Sequence, residues 1–477
     1  MAHYQASLPV PNPTRSFWVT ATDLFPSASE GSSGPITEDA DICIVGSGIT
    51  GVSTAYHLAK ILQEKDIGQR SSGTLKVVIL EAREFCSGAT GRNGGHLTET
   101  RQFFSEFSRV EAQQGVDEAV RAKALEHHNV QGIIAYLREN GLEDHVDFVQ
   151  GGLLTLFVTD EEYRVTREQY DAATKAGVNV EGIQWLTAEQ TQDRFGASYR
   201  AMLSAGNNLW PLKLVSALYN SAVAIGSSES SRTKLSLAIH TLTPVTAITA
   251  IPQPSPRRYS LSTPRGPISC SYVIHATNAY VSHLLPHMAG PEGVIPTRGQ
   301  VIATRAKVTA DILTKVAGSA NEDYEYWFPR PVRGAEEDMS KYPLIIFGGG
   351  REVTLPEGGE YYVTDDSVVN PKVGQFLREF LPRTFPGRFE LNNEPEMEWT
   401  GIMGFTKSTD PFVGPVVDRS KPGSGKSFAG QYVSAGYTGH GMPRAFACAE
   451  AVAQMVVAEI EGKEWEVPNW FPRSYLM

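Results

Sequence analysis

Two hydrophobic periods recur along this chain, and where one hands over to the other a glycine turn stands. Ile42-Cys43-Ile44-Val45 is an unbroken apolar run, as a parallel strand covered on both faces requires. Beyond it, Val52, Ala55, Tyr56, Ala59 and Leu62 recur at helical spacing. Between the two lies Gly46-Ser47-Gly48-Ile49-Thr50-Gly51. Gly46 permits the tight turn, Gly48 lets the backbone approach a pyrophosphate, and Gly51 lets the helix pack closely on the strand. The uncapped N–H groups and dipole of the helix start, at Ile49 and Thr50, make an anion site. A second apolar run, Lys76 to Leu80, ends in Glu81, placed to hold a ribose hydroxyl pair. The usual interval to that acid is ~20 residues. It is longer here, with the polar stretch Glu64 to Thr74 as an insertion.

The pattern then changes character. Asp117 to Asn140 is predicted as a long amphipathic helix, Gly151 to Val158 as a strand, and Asp160 to Ala176 as a helix. Leu186-Thr187-Ala188-Glu189-Gln190 carries a helix-start signal. A helix is expected from about Leu212 to Ile225, then a polar insert from Gly226 to Lys234. Thr243 to Thr246 and the strand Tyr272 to Ala276 return to the first sheet. Pro296 to Val301, the aromatic group Tyr324, Tyr326, Trp327 and Phe328, the strand Leu344 to Phe347 and Gly348-Gly349-Gly350-Arg351 read as a second visit to an inserted domain. Val332 to Tyr342 is charged and reads as a solvated loop.

Two loops concentrate small and polar residues. Directly after Glu81 comes Ala82-Arg83-Glu84-Phe85-Cys86-Ser87-Gly88-Ala89-Thr90-Gly91-Arg92-Asn93-Gly94-Gly95-His96. Such a loop, at the carboxyl end of a second strand, lies where open α/β sheets bind ligands, and its small residues let a flat ring rest against backbone. Near the other terminus, Tyr432 to Ala435 ends at Gly436-Tyr437-Thr438-Gly439-His440-Gly441-Met442. A helix is expected from Pro443, with Phe446, Ala449, Ala453, Val456 and Ile460 as its inner stripe. The chain thus has two strand–glycine–helix anion sites. One suits a pyrophosphate. The other suits the negative charge that a reduced flavin gathers at its N1 and C2 carbonyl edge, stabilised by the dipole by roughly 0.3–2 kcal/mol. A nicotinamide protein has no need of the second loop.

Composition narrows the partners. At 477 residues the chain exceeds one typical core. A net charge of −11 argues against nucleic acid or an anionic membrane. Cys43, Cys86, Cys270 and Cys448 lack metal spacing, so no metal is expected and a reducing compartment fits. With no secretory pattern at the start and no run near 18 apolar residues, cytoplasm is the expectation by elimination. Residues 1–37, rich in Pro, Ser, Thr and Gly, read as an arm wrapping the surface, pinned by Trp18 and Phe25.

With these motifs in hand, the chain resembles the FAD-dependent amine and amino-acid oxidases of the D-amino acid oxidase superfamily. Ser87 to His96 looks most like the γ-glutamylputrescine oxidase branch, supported by Pro296-Thr297-Arg298-Gly299-Gln300, Gly348 to Arg351 and Gly436 to Met442. The resemblance implies an α/β (overall α+β) fold: an FAD-binding Rossmann-like domain with an inserted substrate domain on an antiparallel sheet. It divides the chain into FAD-binding segments 38–104, 199–290 and 396–477 and substrate segments 105–198 and 291–395. It implies FAD contacts from Gly46, Gly48, Ile49, Thr50 and Gly51 at the pyrophosphate and from Glu81, Ala82 and Arg83 at the ribose, with Val245, Ala276 and Thr277 on the adenine side. Gly88, Ala89, Thr90, Arg92, Asn93, Gly94, Gly95 and His96 would line the isoalloxazine, closed by Gly404, Gly439, His440, Gly441 and Met442.

The implied chemistry is hydride transfer from a carbon next to nitrogen to flavin N5, giving an imine, with O2 reduced to H2O2. Candidate substrate-facing residues are His96, Arg298, Tyr326, Trp327, Arg351 and His440. Amino acid and plain amine stay equal candidates. A dehydrogenase, a tailoring oxidase acting on a larger amine and a non-catalytic flavin protein are the alternatives. Met403 stands where some relatives carry a cysteine linked to FAD, and Arg92 where others carry a histidine, so FAD is expected to be non-covalent. Ile346 stands where relatives carry a lysine that assists reaction with O2. The oligomeric state is left open.

Overall fold

In the computed structural model, which describes residues 5–21, 23–67, 73–99, 103–331, 342–391 and 393–477, Ile42–Val45 is a strand with every residue buried. It pairs in parallel with Thr74–Leu80 on one side and Tyr272–His275 on the other. The six-stranded sheet runs Phe412–Pro415, Gln431–Ala435, Tyr272–His275, Ile42–Val45, Thr74–Leu80, Lys234–His240. Its edge strand Phe412–Pro415 is antiparallel. Chain order reverses at Ile42–Val45, so the loops beyond the carboxyl ends of the central strands part and leave a crevice.

Helix Ile49–Glu64 follows the first turn and packs on helices Pro211–Ser227 and Ala445–Glu461. The close approach depends on glycine. A Cβ on Gly51 would lie 2.0 Å from the Gly46 carbonyl oxygen. One on Gly46, whose φ is +110°, would lie 2.6 Å from the Ala276 carbonyl oxygen. The turn is therefore wedged between its own helix and the neighbouring strand.

A second sheet has eight strands in the order Met397–Phe405, Ile295–Arg305, Leu344–Gly348, Glu325–Pro329, Ala317–Ala320, Leu153–Phe157, Arg200–Ser204, Gln184–Leu186. It is antiparallel except where Ala317–Ala320 runs parallel to Leu153–Phe157. Helix Pro371–Thr384 covers one face, burying Val373, Leu377 and Leu381 against Trp327 and Phe347. Strands Arg200–Ser204 and Met397–Phe405 belong to this sheet, so sheet membership changes after 204 and after 405 rather than at 199 and 396.

Most predicted elements appear within a residue or two: helices Val116–Glu139, Asp160–Lys175 and Pro211–Ser227, and strand Leu153–Phe157. The Thr187 signal is a complete capping box with Gln190. The last helix begins at Ala445 rather than Pro443, because Tyr437–Arg444 is still turning, with His440 N–H donating to the Tyr437 carbonyl at 2.9 Å. Strand Lys234–His240 and a separate three-stranded sheet, Ala247–Ala250, Tyr259–Ser262 and Ile268–Cys270, add to the elements the sequence pattern predicts. Trp18 pins the arm and is buried, whereas Phe25 is 51 % exposed and only leans on Tyr219. Val332–Tyr342 lies outside the described residues apart from Tyr342, as does part of the insertion Glu64–Thr74. All four cysteines are buried and free. No helix among the described residues is long and apolar enough to cross a membrane.

Gly51→Ala places a methyl inside the Gly46 carbonyl. It should cost about 1–3 kcal/mol or more in stability, read as a lower urea midpoint at unchanged slope.

Candidate active site

Both glycine loops open into one cavity of about 580 Å³ between the two sheets. Its floor comes from the six-stranded sheet. The carboxyl ends of the first two strands contribute Gly46, Gly48, Ile49, Thr50, Glu81, Ala82 and Arg83. The first loop adds Gly88, Ala89, Thr90, Arg92, Asn93, Gly94 and His96, and the turn after Tyr272–His275 adds Ala276 and Thr277. Val245 lies on the same wall, and Gly439, His440, Gly441 and Met442 reach it from the other end of the chain. Three expected contacts stand back from the surface. Gly51 serves packing, as above. A Cβ on Gly95 would meet the Leu209 carbonyl at 2.8 Å, and one on Gly404 would meet Asn278 Oδ1 at 2.7 Å.

The roof belongs to the eight-stranded sheet. Register pairs Tyr326 with Gly348 and Arg298 with Ile402. Tyr326 faces the cavity, its ring so close to Gly94 that a Cβ there would lie 2.3 Å from Cε2. His96 meets the same ring edge-on at 5.6 Å. Trp327, the next residue of the strand, points the other way into the core beside Phe347 and Phe385. It is a core aromatic and not a site residue, because successive strand side chains take opposite faces. Arg298 is also absent from the cavity wall: its Nε donates to Glu360 Oε2 at 2.5 Å and its Nη1 to the Asp365 carbonyl at 3.1 Å, so it braces a loop. Ile346 is buried in the core and does not reach the cavity.

Arg351 does reach it. Its guanidinium carbon lies 5.2 Å from the Tyr324 ring, 4.9 Å from Tyr361 and 5.0 Å from Phe405. Nη1 donates to the Gly359 carbonyl at 3.3 Å, and no carboxylate among the described residues pairs with it. Ring quadrupoles hold a cation in place without neutralising it. Tyr324, Tyr361, Phe405 and Gln300 also line the cavity and are not among the candidate site residues. Tyr324 belongs to the aromatic group Tyr324, Tyr326, Trp327 and Phe328, whereas Tyr361 arrives from a distant segment with no local motif.

Electrostatics organise the floor. Glu81 Oε2 accepts from Ser47 N at 2.9 Å and Ser47 Oγ at 2.8 Å, while Oε1 accepts from Arg83 N at 2.9 Å. A carboxylate offers about four acceptor directions, so one stays for a ribose hydroxyl. Buried Asp366 bridges two cavity-lining arginines: Arg83 Nη1 lies 2.9 Å from Oδ1 and Arg92 Nε 3.6 Å from Oδ2. The trio carries a net positive charge beside the cavity. Burial pulls the Arg92 guanidinium down to about 10, opposed by Asp366. Thr277 Oγ1, on the wall, is buried without a hydrogen-bond partner among the described residues. The glycine cradle, the spare direction on Glu81, the net positive trio and the unpaired hydroxyl suit a dinucleotide.

The comparisons agree with that fit. Residues 41–455 match the family described as FAD dependent oxidoreductase, DAO, and the chain belongs to it. It is thus an FAD-dependent oxidoreductase, and FAD is its cofactor. It is 25% identical over 429 residues to gamma-glutamylputrescine oxidoreductase of Escherichia coli (strain K12), covering 88% of this chain and 84% of the relative. Its fold is similar to that of glycine oxidase from Geobacillus kaustophilus, with TM-score 0.61 at 20% identity over 91% of this chain and 99% of that one. It is likewise similar to L-proline dehydrogenase from P. horikoshii, with TM-score 0.63 at 18% identity over 93% and 100%.

Behind Arg351, Glu325 is fully buried and accepts from Gly350 N–H at 3.2 Å. Burial, with the Glu352 carboxylate alongside, pushes its acid up to about 9. Folded protein therefore binds one more proton than unfolded protein between pH 4.5 and about 9. Stability should fall as pH rises through that window, by up to ~1.4 kcal/mol per pH unit. Glu325→Gln should flatten this slope, read as urea midpoints at several pH values.

Proposed function

We propose that this chain oxidises the C–N bond of an amine or amino acid to an imine, that O2 takes the electrons as H2O2, and that FAD is held non-covalently. Bound FAD supplies the two-electron acceptor. What the chain supplies is binding and orientation. His96 and His440 both line the cavity, and His96 meets the Tyr326 ring edge-on. The relatives support a nitrogen-bearing donor, since one is a gamma-glutamylputrescine oxidoreductase and another a glycine oxidase.

The observation that carries the reading furthest is Arg351, a caged guanidinium at the cavity wall without an acidic partner among the described residues. It favours a substrate with a carboxylate over a plain amine, because a charge-assisted pair in a shielded site is strong. Non-covalent FAD is supported by Met403 in the lining and by Cys86 lying off the wall, its thiol pushed up by burial.

Anaerobic mixing with a panel of amines and amino acids should bleach the flavin with a carboxylated substrate. Peroxide should appear on readmitting air. A panel that bleaches nothing would sink the enzymatic reading, and bleaching without peroxide would assign a dehydrogenase. Acid precipitation should leave the yellow colour in the supernatant. Arg351→Ala should lower kcat/KM for the carboxylated substrate by about 10- to 150-fold, equivalent to ~1.5–3 kcal/mol, and far less for its decarboxylated analogue.

A further inference from the structure

The cavity wall includes two residues of the N-terminal arm. Leu8 and Pro9 of the N-terminal arm line it together with Glu81, Arg83, Tyr280 and Leu284. We infer that Gln5–Thr20 is a strap that closes the nucleotide end of the cavity and sets how tightly FAD is held. The inference rests on the FAD reading of this cavity.

The strap is stitched on both sides of the point where it crosses. Before it, Ala6 N–H donates to buried Ser282 Oγ at 2.9 Å and Gln5 Nε2 to the His283 carbonyl at 3.2 Å. After it, Arg83 Nη1 donates to the Val10 carbonyl at 3.4 Å. Leu8 and Pro9 therefore bridge from the short helix Val281–Leu284 to the residues next to Glu81, where the ribose is expected. Further on, Arg92 Nη1 donates to the Thr14 carbonyl at 2.6 Å and Ser16 Oγ to the Gly91 carbonyl at 2.5 Å. Trp18 Nε1 donates to the Asn93 carbonyl at 2.6 Å. The last of these seats a buried indole, stacked 6.4 Å from Phe328 of the other sheet.

Composition explains why the segment can serve so. Pro9, Pro11 and Pro13 alternate with Val10 and Asn12. Each proline fixes φ and removes an N–H donor, so the strap loses little entropy on docking and needs few backbone partners. The groups it holds, Arg83, Arg92 and the Gly91–Asn93 turn, are themselves cavity residues or their neighbours. Docking the strap and filling the cavity stabilise the same arrangement. Each should strengthen the other by linkage.

The test is release of FAD, measured by flavin fluorescence on dilution. It compares the full chain with a chain beginning at Ser16 and with full-length Leu8→Glu, which keeps every stitch but puts a carboxylate at the wall. Both variants should release FAD at least about tenfold faster and bind it about tenfold more weakly. A shortened chain that melts lower yet releases FAD at the full-length rate would overturn the strap. If the shortened chain does not fold, Leu8→Glu decides, and full-chain retention of FAD by that variant overturns the proposal. A full chain that takes up no FAD would overturn both the strap and the cofactor reading.

Discussion

One carboxylate holds the floor of this molecule together. Glu81 accepts from the backbone and hydroxyl of Ser47 and from Arg83 N–H. Ser47 Oγ in turn accepts from Cys86 N–H at 2.8 Å. The first glycine turn and the second loop are thus locked to a single anion that is shielded from water. A buried carboxylate is costly unless its acceptor directions are filled. Filling them from two loops makes their relative position a condition of stability, and the same position leaves a direction for a ribose.

Above that floor the chain solves a charge problem with a different device. Arg83 and Arg92 are buried and share Asp366. The cluster keeps one net positive charge beside the cavity. Arg351 on the roof is held by rings rather than by an acid. The two regions differ in kind: the lower one sets two cations against one acid, and the upper one surrounds its cation with rings.

The order of the central sheet explains why such distant residues share one wall. Strand order reverses at Ile42–Val45, and the loops around the reversal come from residues near 46, 88, 276 and 439. The eight-stranded sheet then lies over them, and its Met397–Phe405 strand meets the segment that carries Gly439, Thr438 N–H donating to the Gly404 carbonyl at 2.8 Å. The candidate site therefore lies where the two sheets face each other, and the arm crosses at one end of it.

What the sequence by itself determined is local and periodic. The strand–glycine–helix turn, the acid after the second strand and the capping box at Thr187 each need only neighbouring residues, so each was legible. The two glycine loops stood out by composition alone, and both line the one cavity. Only the tertiary structure decided that Trp327 is core while Tyr326 is wall, since strand register selects the face. It also decided that Arg298 spends its charge on Glu360 while Arg351 keeps its own, and that Tyr361, Phe405, Leu8 and Pro9 complete the cavity. Side-chain partners come from segments far apart in the chain, and no short window of sequence encodes which of two similar arginines a distant acid will meet.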